Sequence, residues 1–412
     1  MKIASGRQID EKRIIIYALA ALIAQCLVLA IVGLRYYAFS DRSAPMVGAD
    51  FVIFWSAARV ALEHGATAVF SPHWMRPIES ALWPHDSFAP WPYPPTFLLV
   101  VIPLGLLSFG GSLIAFLAIG VAAYAATVAR IARQVSRSAF MVMIAFPGVA
   151  VAIITGQNSL LAAAIAGGAF ALLSSSPILA GACIAALAIK PQFGILFPIA
   201  LICGCQWRAL ASAAVCSAAF VGISALALGR TAWIAFASFL PLFNRLAVEH
   251  GRELWSGMPT IFATARLAGL SVPASYIVHA AVPVPAVIAM AYLWVKDARL
   301  ELRASALVVA TLLVQPYFMY YDLAWIALPI VFLLRDAERA ALGRAELIAL
   351  AAAWLMPAVG FFASRFDIHL QLAPAILVGL LAIILRRHFA SRPLSCHANP
   401  EQDAAPIVKS SI

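Results

Sequence analysis

Charge is scarce in this chain. Of its 412 residues 11% are charged, with 18 acids against 28 lysines and arginines. A soluble globular domain carries about 25% charged and about 45–50% apolar residues, whereas here 64% are apolar. That excludes an ordinary soluble enzyme and a disordered chain. It also excludes a nucleic-acid binder in spite of the net charge of +10, because the basic residues sit in short hops between apolar runs and do not gather on one soluble face. Chemical signatures are missing as well: no Walker P-loop, no G-x-G-x-x-G after a strand, no H-E-x-x-H, no G-x-S-x-G. The acidic pair D-x-D, by which many nucleotide-sugar enzymes hold a metal, is absent too. A cytosolic nucleotide-dependent mechanism therefore lacks support. No cofactor and no metal-ligand set is expected, with a divalent ion left open. Five of the six cysteines (Cys26, Cys183, Cys203, Cys205 and Cys216) lie in apolar runs and Cys396 lies near the end, so no disulfide framework is implied. Cys203-Gly-Cys205 lacks the second ligand pair that a metal site needs.

What the chain has instead is apolar runs. A spanning helix needs about 20 such residues, and twelve candidates follow one another at 14–34, 110–129, 139–155, 159–173, 178–189, 192–206, 209–228, 275–295, 304–319, 321–334, 346–363 and 369–386. Several are short, which suggests kinked helices around a cavity. The stretch 95–108 is too short to span comfortably and contains Pro103, so it reads as re-entrant or interfacial. Counting it as a full span would put Arg130, Arg133 and Arg137 outside. With it re-entrant, 18 basic residues fall inside and 10 outside. The positive-inside rule favours that arrangement. The expectation is an all-α, multi-pass protein of the plasma (inner) membrane with both termini cytoplasmic. Residues 1–390 would form one transmembrane domain, with extracytoplasmic loops at about 36–94 and 229–275. The polar tail 391–412 would be disordered. Lys2, Arg7, Lys12 and Arg13 precede an apolar run too long for a signal peptide, which marks a retained first helix.

Six of the ten tryptophans fall in the two loops, either as an aromatic belt or as platforms for sugar rings and a lipid carrier. In the first loop, ADFVIFWSAARVALEHG places Phe51, Phe54, Trp55, Ala58 and Leu62 on one side, as for a helix lying at the membrane surface. Asp50 opens that helix. A carboxylate there can serve as a general base for a substrate hydroxyl. It can equally be an N-cap, since Asp is a favoured capping residue.

Further on, Gln157 and Asn158 in GQNS sit between apolar runs, where they could bind a sugar or a phosphate or tie helix ends together. Lys190, before Pro191 and Gln192, must snorkel, pair or bind an anion. It is the sole cation on its loop and runs against the positive-inside trend, which favours the anion. Asp322, in QPYFMYYDLAW, is an intramembrane acid and so either a functional residue or half of a buried pair with Lys190 or an arginine. Tyr93 in WPYPPTF, and Tyr321 beside Asp322, are candidates to line the cavity. Arg245, His250 and Arg252 form a basic cluster that suits phosphate oxygens or simply faces solvent.

Taken in order, G-A-D-F-x-x-F-W at 48–55, Y-P-P-T-F at 93–97, G-Q-N at 156–158, K-P-Q at 190–192 and P-Y-x-x-x-Y-D-L at 316–323 make a recognisable set. Over roughly residues 45–335 the chain resembles the family 87 glycosyltransferases, which include polyprenyl-phosphate-mannose-dependent α-mannosyltransferases. The resemblance implies a GT-C fold and transfer from a lipid-linked sugar on the outer face of the membrane. It implies a catalytic base in the first outer loop, the position of Asp50, and basic residues of later loops on the donor phosphate. The partners so implied are a polyprenyl-phosphate sugar donor, with mannose favoured, a lipid or glycan acceptor, and membrane lipids. A transporter or flippase for a lipid-linked glycan is the rival reading. Transporters often show two related halves, and none is found here.

Overall fold

A computed structural model describes residues 11–41, 43–83, 88–132, 136–369 and 371–390, and every regular element among them is helical. The expected tail 391–412, together with Lys2, Arg7 and Arg133, lies outside the described residues. In chain order the helices are α1 (Glu11–Gly33), α2 (Phe51–His64), α3 (Pro72–Leu82), α4 (Pro95–Val101), α5 (Phe109–Ala132), α6 (Arg137–Ile144) and α7 (Pro147–Thr155). Then come α8 (Ser159–Leu172), α9 (Pro177–Ala186), α10 (Phe197–Cys203), α11 (Trp207–Leu228), α12 (Arg230–Phe243), α13 (Arg252–Trp255) and α14 (Ile261–Leu267). The chain closes with α15 (Val272–Ala280), α16 (Pro283–Val295), α17 (Leu300–Val314), α18 (Ala327–Asp336), α19 (Arg344–Arg365) and α20 (Ala373–Ala390).

Local chemistry sets the boundaries. Pro147, Pro177 and Pro283 open their helices at the first position, where the missing N–H costs nothing. Ser136, Thr260 and Ser271 cap α6, α14 and α15 by accepting from the N–H three residues on. Proline also interrupts: Pro147 divides the run 137–155 into α6 and α7, and Pro191 divides the apolar text between α9 and α10 into two short 3-10 turns.

Among the described residues, eight helical segments are long and apolar enough to cross a membrane, judged by length and composition. Seven coincide with expected spans. The eighth, Arg230–Glu249, falls where the sequence suggested an outer loop. Its charges sit at its ends, Arg230 at one and Arg245 with Glu249 at the other, so the apolar stretch between them is uninterrupted by charge. Pro95–Leu106 is a shorter piece, α4 followed by a 3-10 turn. Seven α-helical residues and five 3-10 residues rise about 20 Å, well short of the roughly 30 Å hydrocarbon core.

The interior is built on α17 and α18. Every residue of α17 from Glu301 to Leu313 is buried, and a helix buried on all sides belongs at the centre of a bundle. It packs against α16, α18 and α20. At the end of α17 and α18 remote from Asp322, an ion-pair network ties the last helices together. Arg387 reaches Asp336 at 2.7 Å and Glu346 at 3.1 Å, and Arg299 reaches Asp336 at 3.0 Å. Helix α1 is peripheral, with Ala18 its one buried residue. Helix α2 departs from the expected surface helix. Phe51, Phe54, Ala57, Ala58 and Val60 are all buried in an aromatic cluster with Trp91, Tyr93 and Phe97, Val52 is buried with Tyr36, Ala44 and Met46, and Leu62 stays exposed.

Candidate active site

The five sequence motifs, far apart in the chain, meet in one place. Residues 48–50 lie against the end of α7: the Gly48 N–H donates to Ile154 O at 2.8 Å and the Asp50 N–H to Thr155 O at 2.8 Å. Gly48 and Gly156 have φ of 82° and 75°, which glycine adopts without strain. Their approach leaves no room for more. A Cβ on Gly156 would stand 2.7 Å from Gly48 Cα and 2.8 Å from Phe51 Cβ.

That contact aims Asp50. The residue occupies the N-cap position of α2, but at φ −76°, ψ −20° and with no side-chain capping bond. Capping geometry calls for an extended backbone, so the carboxylate is not spent on its own helix. Its Oδ2 accepts instead from Gln157 Nε2 at 2.8 Å. Gln157 is oriented in turn. Its Oε1 accepts from the Tyr93 hydroxyl at 3.3 Å and from the Asn158 N–H at 3.4 Å. Tyr93 is fixed by Pro94 and Pro95 after it and by aromatic edges, with Phe54 at 5.3 Å and Phe97 at 4.9 Å. From the other side Trp83 Nε1 donates to Ala49 O at 2.9 Å.

Deeper in stands an ion pair. Lys190 Nζ lies 2.5 Å from Asp322 Oδ1, and the two residues are 3% and 2% exposed. Lys190 also donates to Asn158 Oδ1 at 3.3 Å. Asp322 accepts from Ser159 Oγ at 2.7 Å and from the Met319 N–H at 3.4 Å. The ammonium lies over the Phe193 and Tyr321 rings, 5.1 and 5.6 Å from their centroids. Pro191 bars its predecessor from helical geometry, so Lys190 leaves the helical path at φ −146°, ψ 69°. Gln315 Nε2 donates to Gln192 O at 2.7 Å and locks the lysine segment to the stretch that carries Asp322.

The structure pairs Asp322 with Lys190, as one reading of the sequence had it. The lysine does not snorkel, and its anion is a side chain of the same chain. Asn158 is 1% exposed and its Nδ2 has no protein partner, so a donor stands free beside the pair. Asp50, in contrast, is half-buried and remains reachable. Burial pushes its pKa up to about 6. Asp322 adds to the rise, and Gln157, Lys190 and Tyr321 oppose it.

Arg245, His250 and Arg252 are exposed and make no hydrogen bond or ion pair with this group among the described residues. Their segment nonetheless packs on the Asp322 stretch: Phe243 meets Tyr317 edge-on at 5.3 Å, and the Tyr320 N–H donates to Gly257 O at 3.0 Å. Two residues were not singled out from the sequence. Ser159, which bonds Asp322, is the last residue of GQNS, where the two amides drew the attention. Glu79 is 0% exposed and accepts from the Ala89 N–H at 2.9 Å, just before Trp91 and Tyr93; nothing in its local sequence marks it. Among the described residues no three His, Cys, Asp or Glu side chains gather to hold a metal.

An apolar cavity of about 580 Å³ flanks the lysine segment, lined by Leu187, Ala188, Pro191, Ile195 and Leu210 among others. A second of about 590 Å³, between α1, α6, α18 and α19, shares no residue with the Asp50 group. The profile of glycosyltransferase family 87 matches residues 91–316, more than half of the chain. No curated protein and no solved structure matches it.

Proposed function

The chain belongs to glycosyltransferase family 87, a membrane glycosyltransferase family, and from that premise we propose that it transfers a hexose, mannose favoured, from a polyprenyl-phosphate donor to a lipid or glycan acceptor. The reaction takes place at the outer face of the plasma membrane, with both termini cytoplasmic. The observation that carries the reading is Asp50: a half-buried carboxylate, uncommitted to its helix and hydrogen-bonded by Gln157 in a site of glycine, amide and tyrosine residues.

In this mechanism an acceptor hydroxyl gives its proton to Asp50 while its oxygen attacks the anomeric carbon. The bond from that carbon to the phosphate oxygen breaks on the opposite face, and the configuration inverts. The leaving phosphate keeps the bonding electron pair, so no protein acid need protonate it. It does need cations or oriented donors for its charge. Lys190 is engaged by Asp322. That role therefore falls to Arg245, His250 and Arg252, packed beside the Asp322 stretch, and to the free Asn158 amide. Tyr93, which donates to Gln157, and Tyr321, beside Asp322, would face the sugar, although neither lines the two apolar cavities described above. The cavity beside Lys190 suits the donor's hydrocarbon chain.

The test is Asp50→Asn in purified protein, supplied with polyprenyl-phosphate mannose. Removing a general base lowers the rate by about 10²–10⁴-fold, and donor binding should persist. Unchanged transfer by that variant would sink the assignment.

A further inference from the structure

The Lys190–Asp322 pair is hard to explain as a stabilising device. A buried ion pair is often no more stabilising than apolar side chains of the same volume, and these two residues are almost wholly removed from water. Their position is more telling. Asp50 is bonded by Gln157, from the turn between α7 and α8, and Gln157 by Tyr93 from the stretch before α4; the next residue, Asn158, accepts from Lys190, which pairs with Asp322 and lies over the Tyr321 ring. Tyr317 and Tyr320, on the Asp322 stretch, are the other titratable groups on which the charge of Asp50 acts. Among these described groups Lys190 and Asp322 carry the charge, and they lie within one hydrogen bond of each other. Asp50 therefore faces a short dipole, not a net charge.

We propose that the Lys190–Asp322 pair is a positioning device for Asp50. Asp322 claims the lysine that would otherwise pair with Asp50, and Lys190 cancels the carboxylate that would otherwise repel it, so Asp50 is left free to receive a substrate proton. Ser159, the Met319 N–H and Asn158 hold the pair together from three sides. This inference rests on Asp50 being the base.

The experiment is the pH dependence of kcat/KM for hexose transfer in full-length protein, wild type against Asp322→Asn, Lys190→Gln and the double variant. With Asp322 neutralised, an uncancelled lysine favours the ionised form of Asp50, and the acid limb moves to lower pH by about one unit. With Lys190 neutralised, an uncancelled carboxylate moves it to higher pH by about one unit. The double variant is again neutral, and its limb returns to the wild-type position. Opposite shifts that cancel in the double variant support the pair's role. Unmoved limbs with lower rates, or two shifts of the same sign, overturn it.

Should a single variant fail to fold, Lys190→Arg and Asp322→Glu preserve the charges. They must keep the wild-type limb whatever their rate, and a displaced limb in either overturns the proposal. The two readings separate on Asp50→Asn. If that variant transfers with a wild-type limb, Asp50 is not the base and the functional reading fails. If it is inactive while the pair variants keep the wild-type limb, the pair's role alone fails.

Discussion

Gly156→Ala adds one methyl at the point where the Asp50 loop and α7 press together. At φ 75° the new side chain adopts the left-handed region, at a cost of about 1–2 kcal/mol. Its Cβ would meet Gly48 Cα at 2.7 Å, whereas carbon atoms pack comfortably at about 3.5–4.0 Å. The obstacle is backbone, which cannot swing aside as a flexible side chain can, and overpacking of this kind adds about 1–3 kcal/mol. The expected loss is thus about 2–5 kcal/mol.

Relief requires residues 48–50 to withdraw by about 1 Å. That would stretch the Gly48–Ile154 and Asp50–Thr155 backbone bonds and the 2.8 Å bond from Gln157 to Asp50. A displacement of that size at a reacting group can cost about 10²-fold in rate. The assay is paired: apparent melting temperature in detergent and initial rate of hexose transfer. A lower melting temperature with transfer reduced further than the folded fraction accounts for is the expected outcome. Wild-type melting and wild-type transfer together would refute the claim that this contact aims Asp50.

Three further outcomes follow from the same structure. With Asp50 raised to about 6, transfer should fall as pH drops below about 6, because the base must be ionised; a rate held level down to pH 4 would contradict this. Glu79 is pushed up to about 8, chiefly by burial, so between its ordinary range and about 8 the folded state holds the extra proton and stability falls as pH rises. Glu79→Gln should flatten the dependence of melting temperature on pH over that window while keeping an acceptor for the Ala89 N–H. Arg387→Met strips a buried partner from Asp336 and Glu346. It should destabilise by about 3 kcal/mol, read as a lower melting temperature with the acid limb of transfer unmoved.

Much of the site was legible as text, because its residue types are out of place in apolar surroundings: an amide pair, a lysine before a proline, an acid among tyrosines. How they pair was legible only in part: the Lys190–Asp322 pair stood among the alternatives, and the bond from Gln157 to Asp50 did not. Asp50 and Gln157 are 107 residues apart and Lys190 and Asp322 are 132 apart, and contacts at that range are decided by packing, not by local pattern. Asp50 illustrates the point. Its position ahead of an apolar helix suggests a cap, yet the hydrogen bonds of Gly48 and Asp50 to α7 hold it at helical φ and ψ, where the side chain turns to Gln157. The basic cluster shows the converse: Arg245, His250 and Arg252 are close in sequence, but none of them bonds the Asp50 group. In the fold, α12 was hidden by Pro241 and the polar residues that follow, which read as loop. Two central helices, α17 at 15 residues and α18 at 10, lie in apolar runs that resemble membrane spans, although length sets them below the usual span.

The central claim is that Asp50 carries out sugar transfer. It is tested most directly by mass spectrometry of membrane lipids and envelope glycans from a deletion strain carrying either wild-type protein or equally expressed Asp50→Asn. The account predicts that one hexose is missing from a single acceptor in the deletion strain, returns with wild type and stays missing with Asp50→Asn. Full restoration by Asp50→Asn would contradict the role of Asp50, and an intact lipid-linked glycan accumulating with no product short of a sugar would contradict transfer itself.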